Sequence, residues 1–317
     1  MIRRRGMNMP GSHPRKQMPP PKRSRLLNFI FSRIKFMTQK SKKPSCVKLF
    51  TLILRVREYE KKGAASIFTI IKYEYYIFRD RARIILGLYL AKFGLSQDRE
   101  VIAFLSSCYQ YRRDSHGQLF QDVLAHFVSP KTQGFFVEFG ATDGLFLSNT
   151  YFLEKKYDWK GILAEPARSW AEKLKVNRNI CSLDFRCVWR KSGEIIEFVE
   201  DTLPEISGVS ETLNKKRMSI NSASYKVDTV SLIDLLDEHH APSYIDYMSI
   251  DTEGSEFEIL EDFDFSRYQF GLITVEHNYE TEKREKLLTL LSSKHYKRIF
   301  QNISAEDDWY VASTNTS

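Results

Sequence analysis

Short apolar runs recur along the C-terminal two-thirds of the chain, and stretches with a helical period separate them. The apolar runs are Phe135–Phe139, Gly161–Glu165, Leu183–Arg190, Tyr244–Ile250 and Gly271–Glu276. The helical patterns are Thr150–Tyr157, Ala167–Asn177, Val230–His239, Ser255–Phe263 and Thr281–Ser292. Tyr296–Gln301 and Asp308–Ala312 read as a closing pair of strands. This alternation predicts an α/β fold with a mostly parallel sheet and helices on both faces.

The pattern is weakest between residues 191 and 229. Ile195–Val199 predicts a short strand, and Leu203–Tyr225 predicts a long loop over the site. In open parallel sheets, ligands bind beyond the carboxyl ends of the strands. The residues that follow the predicted strands are therefore the candidates for chemistry.

Charge divides the chain into two unlike parts. Residues 1–117 hold 26 basic and 7 acidic residues, whereas residues 118–317 hold 22 basic and 33 acidic. Residues 1–45 combine basic residues with prolines and lack apolar periodicity, which predicts a basic disordered arm. Residues 46–117 alternate apolar and basic positions at helical spacing, which predicts a helical basic extension. Residues 118–317 form the predicted catalytic domain.

The helical basic extension allows two interpretations. It could be a prefix packed on the core with a solvated basic face, or a surface that docks onto anionic lipid. Nucleic acid is a less suitable partner, because the sequence has no recognisable RNA-binding module. No apolar run reaches the roughly 18 residues of a membrane span. The four cysteines form no CxxC pair, so we expect a cytoplasmic protein, with possible peripheral contact at a membrane.

The segment Glu138–Gly144 follows the first predicted strand and reads E-x-G-x-x-x-G. A dinucleotide-binding loop would have glycines where Thr142 and Leu145 stand. The carboxylates of Glu138 and Asp143 would repel a diphosphate but favour a cationic ligand with hydroxyls, such as S-adenosylmethionine. Glu165 ends the second predicted strand, where α/β folds place the acid that binds ribose hydroxyls.

A second acidic segment follows the fourth predicted strand. Asp251 and Glu253 stand at the strand end, and Ser255 with Glu258 predicts a capping box that starts the next helix. The two carboxylates could share a proton or hold a divalent cation, although no metal-ligand set is assigned. The fifth strand ends in Glu276 and His277. We predict Asp251 or His277 as general base, with Glu253 and Glu276 positioning the acceptor.

These motifs carry a resemblance. In order along the chain, FFVEFGATDG, SNTYFLEK, GILAEP, IDYMSIDTEGSEFEIL and VEHN resemble the FkbM family of S-adenosylmethionine-dependent methyltransferases. The likeness covers Gln118 to Val311. It implies a Rossmann-like class I methyltransferase sheet of seven strands with the last antiparallel. The residues assigned to the cofactor are Glu138, Gly140, Ala141, Asp143, Gly144, Asn149 and Glu165.

The resemblance implies methylation of a hydroxyl on a carbohydrate or secondary metabolite. Two departures matter: Thr-Asp-Gly replaces the Asn-x-Gly that many members have, and Ser249 replaces a lysine before the Ile-Asp pair. If that lysine takes part in catalysis in other members, Ser249 does not replace its function in this chain. Two alternatives stay open, namely a degenerate methyltransferase fold that acts as a binding or scaffold module and a nucleic-acid methyltransferase.

Overall fold

The computed structural model describes residues 98–201, 204–213 and 222–313. The predicted arm 1–45 and most of the extension 46–117 lie outside these residues, so their predicted disorder, helices and lipid contact stay predictions. Among the described residues, no helix is long and apolar enough to cross a bilayer.

Seven α-helices and eleven strands make up the described residues. The helices are α1 (Arg99–Tyr111), α2 (Gln121–Val128), α3 (Tyr151–Tyr157), α4 (Ala171–Asn177), α5 (Leu232–Glu238), α6 (Glu256–Leu260) and α7 (Thr281–Ser293). The strands are β1 (Phe135–Phe139), β2 (Lys160–Ala164), β3 (Ser182–Asp184), β4 (Cys187–Trp189), β5 (Ile195–Glu200), β6 (Gly208–Val209), β7 (Ala223–Ser231), β8 (Tyr244–Ile250), β9 (Gln269–Glu276), β10 (Tyr296–Ile299) and β11 (Asp307–Ala312).

The main sheet has seven strands in the order β10-β11-β9-β8-β1-β2-β3. Strands β3, β2, β1, β8 and β9 run parallel, whereas β11 is antiparallel to both β9 and β10. This order, with the last strand inserted antiparallel near one edge, is the class I methyltransferase arrangement that the sequence predicts. The prediction of the fold class is confirmed.

The central strands are apolar on both faces because helices cover both faces. Val137 and Phe139 of β1 join Met248 and Ile250 of β8 in one buried cluster. Phe136 of β1 faces the opposite layer, where it packs with helices α1 and α2. The carboxyl ends of β1, β2, β8 and β9 consequently meet at one edge of the sheet.

The single strand predicted over Leu183–Arg190 is wrong. The chain forms β3 and β4, which belong to different sheets. The break between them is local: the Asp184 carboxylate accepts a hydrogen bond of 2.8 Å from the Arg186 backbone N–H and also pairs with the Arg186 guanidinium. This contact turns the chain away from the main sheet.

A second sheet of four strands, in the order β4-β7-β5-β6, follows the break. The predicted strand over Ile195–Val199 is confirmed as β5. The loop predicted over Leu203–Tyr225 is interrupted by β6 and ends in β7. The last two residues of β7, Val230 and Ser231, belong to the segment Val230–His239 that the sequence predicts as a helix. Val227 and Val230 of β7 are buried, and helix α5 begins only after Ser231, whose side chain caps it.

Helix α1, the last part of the predicted extension, packs against the catalytic domain. The Phe104 ring stacks on Phe300 with centroids 5.2 Å apart and contacts Trp309 edge-on. Asp122 accepts hydrogen bonds from the backbone N–H groups of His116 and Gly117. Residues 98–117 therefore share a core with the domain, as the packed-prefix interpretation expects.

Candidate functional site

A cavity of about 440 Å³ lies at the carboxyl ends of β1, β2, β8 and β9. Seven of the eleven predicted site residues line it, and they are Glu138, Gly140, Asn149, Glu165, Asp251, Glu253 and Glu276. The other four, Ala141, Asp143, Gly144 and His277, lie outside the lining. The cavity therefore brings together the two acidic segments, which lie about 110 residues apart in the sequence.

Glu138 contributes to the cavity wall, but its carboxylate oxygens are directed at the protein itself. They accept hydrogen bonds from the Asn149 backbone N–H at 2.6 Å, from the Ser148 hydroxyl at 3.1 Å and from the Thr150 hydroxyl. Burial raises the pKa of Glu138, although the nearby Arg178 guanidinium and these hydrogen bonds oppose the shift. Glu138 thus fixes the start of α3 rather than presenting a free charge.

Arg178 is the centre of this buried network, and the sequence analysis missed it. Its side chain has no solvent exposure and pairs with Glu154, while it lies 3.7 Å from a Glu138 oxygen. It also donates to the Gly144 carbonyl at 3.1 Å and to the Ser148 hydroxyl at 3.0 Å. A charged residue at the end of a short surface helix carries no sequence signal for such burial.

Asp143 and Gly144 shape the loop without facing the cavity. The Asp143 carboxylate accepts from the backbone N–H groups of Leu145 and Phe146, at 3.0 and 2.7 Å. Gly144 has φ +73°, and a Cβ there would come within 2.4 Å of the Arg178 side chain. Ala141 is buried in the layer of α1 and α2. None of these three residues lines the cavity.

Gly140 joins the two halves of the site. Its φ is +75°, and a Cβ at this position would lie 1.8 Å from the backbone oxygen of Asp251. Only glycine permits this approach. The loop after β1 and the loop after β8 therefore touch backbone to backbone at the floor of the cavity.

Glu165 follows β2, which is separated by β1 and β8 from β9, the strand that carries Glu276. Its two oxygens accept hydrogen bonds of 2.8 Å from the backbone N–H groups of Thr142 and Ala167. Burial is the main cause that raises the pKa of Glu165 to about 7. The second sheet supplies the neighbouring apolar wall, which consists of Cys187, Val188, Phe198 and Val209.

Asp251, Glu253 and Glu276 form a carboxylate cluster at the ends of β8 and β9. One oxygen from each lies within 4.8 Å of the others, so the cluster could hold a divalent cation, the alternative left open by the sequence. The Asn278 amide donates to Glu253 at 3.2 Å and also to Glu276. Glu253 and Asn278 have φ of +57° and +50°, a conformation uncommon for residues with side chains.

The predicted capping box after β8 is wrong. Ser255 precedes α6, but its side chain caps no helical N–H and donates to the Thr252 hydroxyl at 2.9 Å. Glu256 instead provides hydrogen-bond acceptors for the loop: its carboxylate accepts from the backbone N–H groups of Thr252 and Gly254. A buried acid one residue further along replaces the expected pair.

His277 is buried and turned away from the cavity. Its Nδ1 accepts from the Tyr279 backbone N–H at 3.0 Å, and its Nε2 lies 3.8 Å from an Asp308 oxygen. Burial is the main cause that lowers the pKa of His277. His277 is thus absent from the cavity lining, whereas Asp251 is part of it.

Three further residues near the cavity were not predicted. Gln118 and Glu306 both line it, and the Gln118 amide donates to the Glu306 carboxylate. Asp307 lies behind them and accepts from the Gln121 amide at 2.9 Å. Burial, followed by the charge of Asp251, raises the pKa of Asp307 to about 8. No motif of the sequence analysis includes these three residues.

Comparison with known families gives one match. The Methyltransferase FkbM domain matches residues 138–302, which is more than half of the chain. The chain belongs to the FkbM methyltransferase family. The matched region begins at Glu138 and includes the strand-end acids Glu165, Asp251, Glu253 and Glu276. The methyltransferase fold read from the strand order and the family therefore agree, and no curated protein matches the sequence.

Solved structures with likeness to this FkbM chain include methyltransferases. A methyltransferase from Geobacter sulfurreducens is 12% identical, with a TM-score of 0.37 over 72% of this chain and 96% of that chain. A precorrin-6y C5,15-methyltransferase from Geobacter metallireducens is 11% identical, with a TM-score of 0.34 over 59% of this chain and 76% of that chain. At these scores the assignment of the fold rests on the strand order and the family match.

Proposed function

We propose that this FkbM protein is an S-adenosylmethionine-dependent O-methyltransferase that acts on a hydroxyl of a carbohydrate or secondary metabolite. One observation carries the proposal. Glu165 at one end of the cavity and the carboxylate cluster at the other are joined through the contact of Gly140 with Asp251. A cofactor bound over Gly140 would thus extend from Glu165, which would bind the ribose, to the carboxylate cluster, which would bind the acceptor.

The residues present fit S-adenosylmethionine. Each Glu165 oxygen accepts one backbone hydrogen bond, which leaves acceptor capacity for ribose hydroxyls. Asn149 is buried beside the cavity, its nitrogen donates to Ser249, and its Oδ1 has no hydrogen-bond partner among the described residues. An ammonium group is a suitable donor for such an oxygen. The apolar wall from the second sheet suits an adenine ring.

The lining disfavours a phosphate-rich ligand. Among the described lining residues, seven are acidic and none is lysine, arginine or histidine. A diphosphate or a nucleic-acid backbone is bound mainly through basic side chains and backbone N–H groups. This composition supports a small-molecule or glycan acceptor over a nucleic acid.

The chemistry needs a base beside the acceptor. The cofactor, when bound, supplies an electrophilic methyl group. A hydroxyl with a pKa far above 7 would give up its proton as the new O–CH₃ bond forms, and the bond between the methyl group and the cofactor's sulfur would break to leave a neutral thioether. Asp251, which is exposed to the cavity, accepts that proton, while Glu253 and Glu276 orient the hydroxyl-bearing molecule. Bringing the oxygen into line with the methyl group contributes much of the remaining acceleration.

The decisive experiment measures binding and transfer separately on the full chain. Calorimetry should give micromolar binding of S-adenosylmethionine and negligible binding of NAD. Labelled cofactor should then transfer methyl to members of a panel of neutral glycans and hydroxylated metabolites, but not to RNA. Preferred NAD binding would refute the cofactor assignment, and binding without transfer to any acceptor would favour the scaffold alternative. Loss of transfer on adding chelator would assign the cluster to a metal.

A further inference from the structure

The loop that carries Asp251 and Glu253 is held by residues that do not touch the cavity. Between β8 and α6 the backbone turns sharply, with φ of +57° at Glu253 and +134° at Gly254. A Cβ at Gly254 would come within 2.6 Å of the Thr212 carbonyl oxygen. Such a turn persists only when surrounding contacts fix it.

Glu256 supplies the first of these contacts. Its side chain is 1% exposed. Its Oε1 accepts three hydrogen bonds, from the Thr252 backbone N–H and hydroxyl at 3.1 Å each and from the Gly254 backbone N–H at 2.9 Å. One carboxylate oxygen thus holds both sides of Glu253 in place.

Lys283 supplies the second contact from helix α7. Its ammonium donates to the Gly254 carbonyl at 3.0 Å and lies 3.4 Å from Glu256 Oε2. Burial would lower the pKa of Lys283, but Glu256 and Glu280 outweigh it and raise the pKa. The lysine therefore stays charged and completes the partners of Glu256.

The position of Lys283 in the chain gives this contact its significance. Helix α7 follows β9, whose end carries Glu276, and Asn278 between them donates to both Glu276 and Glu253. The ends of β8 and β9 are therefore connected twice, by Asn278 inside the cavity and by Lys283 outside it.

We propose that Glu256 and Lys283 are positioning residues, which set the direction of Asp251 and Glu253 and thereby the rate of methyl transfer. We call the contacts of Glu256 and Lys283 with the loop the clamp. The effect of the clamp on the rate rests on the proposed function, whereas its effect on the loop does not. Neither residue lines the cavity, so neither contacts the substrates. Displacing a catalytic group by about 1 Å can lower a rate roughly a hundredfold.

The test compares Lys283→Met with Lys286→Met in the full chain. Lys286 lies on the same helix, is exposed, and forms an ion pair with Glu282 at 2.9 Å. We expect Lys283→Met to lower kcat tenfold to a hundredfold, with KM and cofactor Kd within about threefold. Lys283→Arg should restore most of the rate, because it keeps a charged donor.

A second measurement does not depend on activity. Hydrogen–deuterium exchange should rise at least tenfold at the amides of Thr252 and Gly254 in Lys283→Met, and remain at wild-type rates in Lys286→Met and in strands β1 and β9. Unchanged exchange at the two amides would overturn the clamp, as would a uniform rise across the domain. If exchange rises locally but the wild-type protein transfers no methyl group, the proposed function fails and the clamp stands.

Discussion

The two acidic edges of the cavity look alike in sequence but differ in what their carboxylates do. After β1 and β2, Glu138 and Glu165 accept hydrogen bonds from the protein's own backbone N–H groups and hydroxyls. After β8 and β9, Asp251, Glu253 and Glu276 gather around a shared space. An acid at a strand end can therefore shape a loop or face a substrate.

The difference follows from the lengths of the loops. The loop after β1 runs eleven residues to α3 and has many N–H groups that no helix or sheet satisfies, so nearby carboxylates bind them. The loop after β8 is half as long, and buried Glu256 alone satisfies two of its amides. The carboxylates of Asp251 and Glu253 on this short loop line the cavity.

The largest effect should follow from Asp251→Asn. If Asp251 takes the acceptor's proton, kcat should fall about 10²–10⁴-fold while cofactor affinity stays near the wild-type value. Methyl transfer and calorimetry measure the two quantities. His277→Asn serves as the comparison and should lower kcat less than tenfold, because His277 lies off the cavity. The reverse ranking would return the base to His277.

Arg178→Met tests the role of the buried network around Glu138, after β1. Removing this buried cation leaves Glu138 and Glu154 without their partner, and we expect a loss of about 3–5 kcal/mol in the free energy of unfolding. Lys175→Met, which removes an exposed partner of Glu172, should cost less than about 1 kcal/mol. Guanidinium unfolding measures both. A similar small loss for the two variants would contradict the role given to Arg178.

Glu165→Ala tests the acid that follows β2 and lines the cavity. We expect cofactor binding to weaken by about 1.5–3 kcal/mol, the range for a hydrogen bond to a charged group. Because burial raises the pKa of Glu165 to about 7, the wild-type carboxyl is mostly protonated at pH 6 and ionised at pH 8. Cofactor affinity should therefore rise between these values, and Glu165→Gln should remove the rise. Identical pH profiles would assign the titration elsewhere.

Asp307→Asn should leave the site's chemistry in place and change the pH dependence of stability. The folded state raises the pKa of Asp307 to about 8, so the native protein keeps a proton that the unfolded chain releases above pH 4. Wild-type stability should consequently fall as pH rises from 5 to 8. The variant keeps an oxygen for the Gln121 amide and should gain roughly 3–4 kcal/mol relative to wild type at pH 8 compared with pH 5. Equal differences at both pH values would contradict this account.

The sequence was most informative where burial sets the pattern. β1 and β8 have the bounds that their apolar runs predict, since both faces of these central strands are covered. Strand-end acids could be located because parallel strands finish at one edge. The partners of Glu138 and the burial of Arg178 could not be read, because each depends on contacts with residues outside the element that carries it. The division of β3 from β4 rests on the contact of Asp184 with Arg186, which an apolar run does not reveal.

The place of β1 in the centre of the sheet has a consequence for how the chain folds. Its neighbour β8 follows about 110 residues later, with Phe136 opposite Tyr247. At synthesis rates of roughly 5–20 residues per second, one edge of β1 stays unpaired for about 5–20 seconds. An open apolar edge is a template for aggregation. Any fragment that ends before Tyr244 lacks β8, leaves this edge of β1 unpaired and should therefore be insoluble.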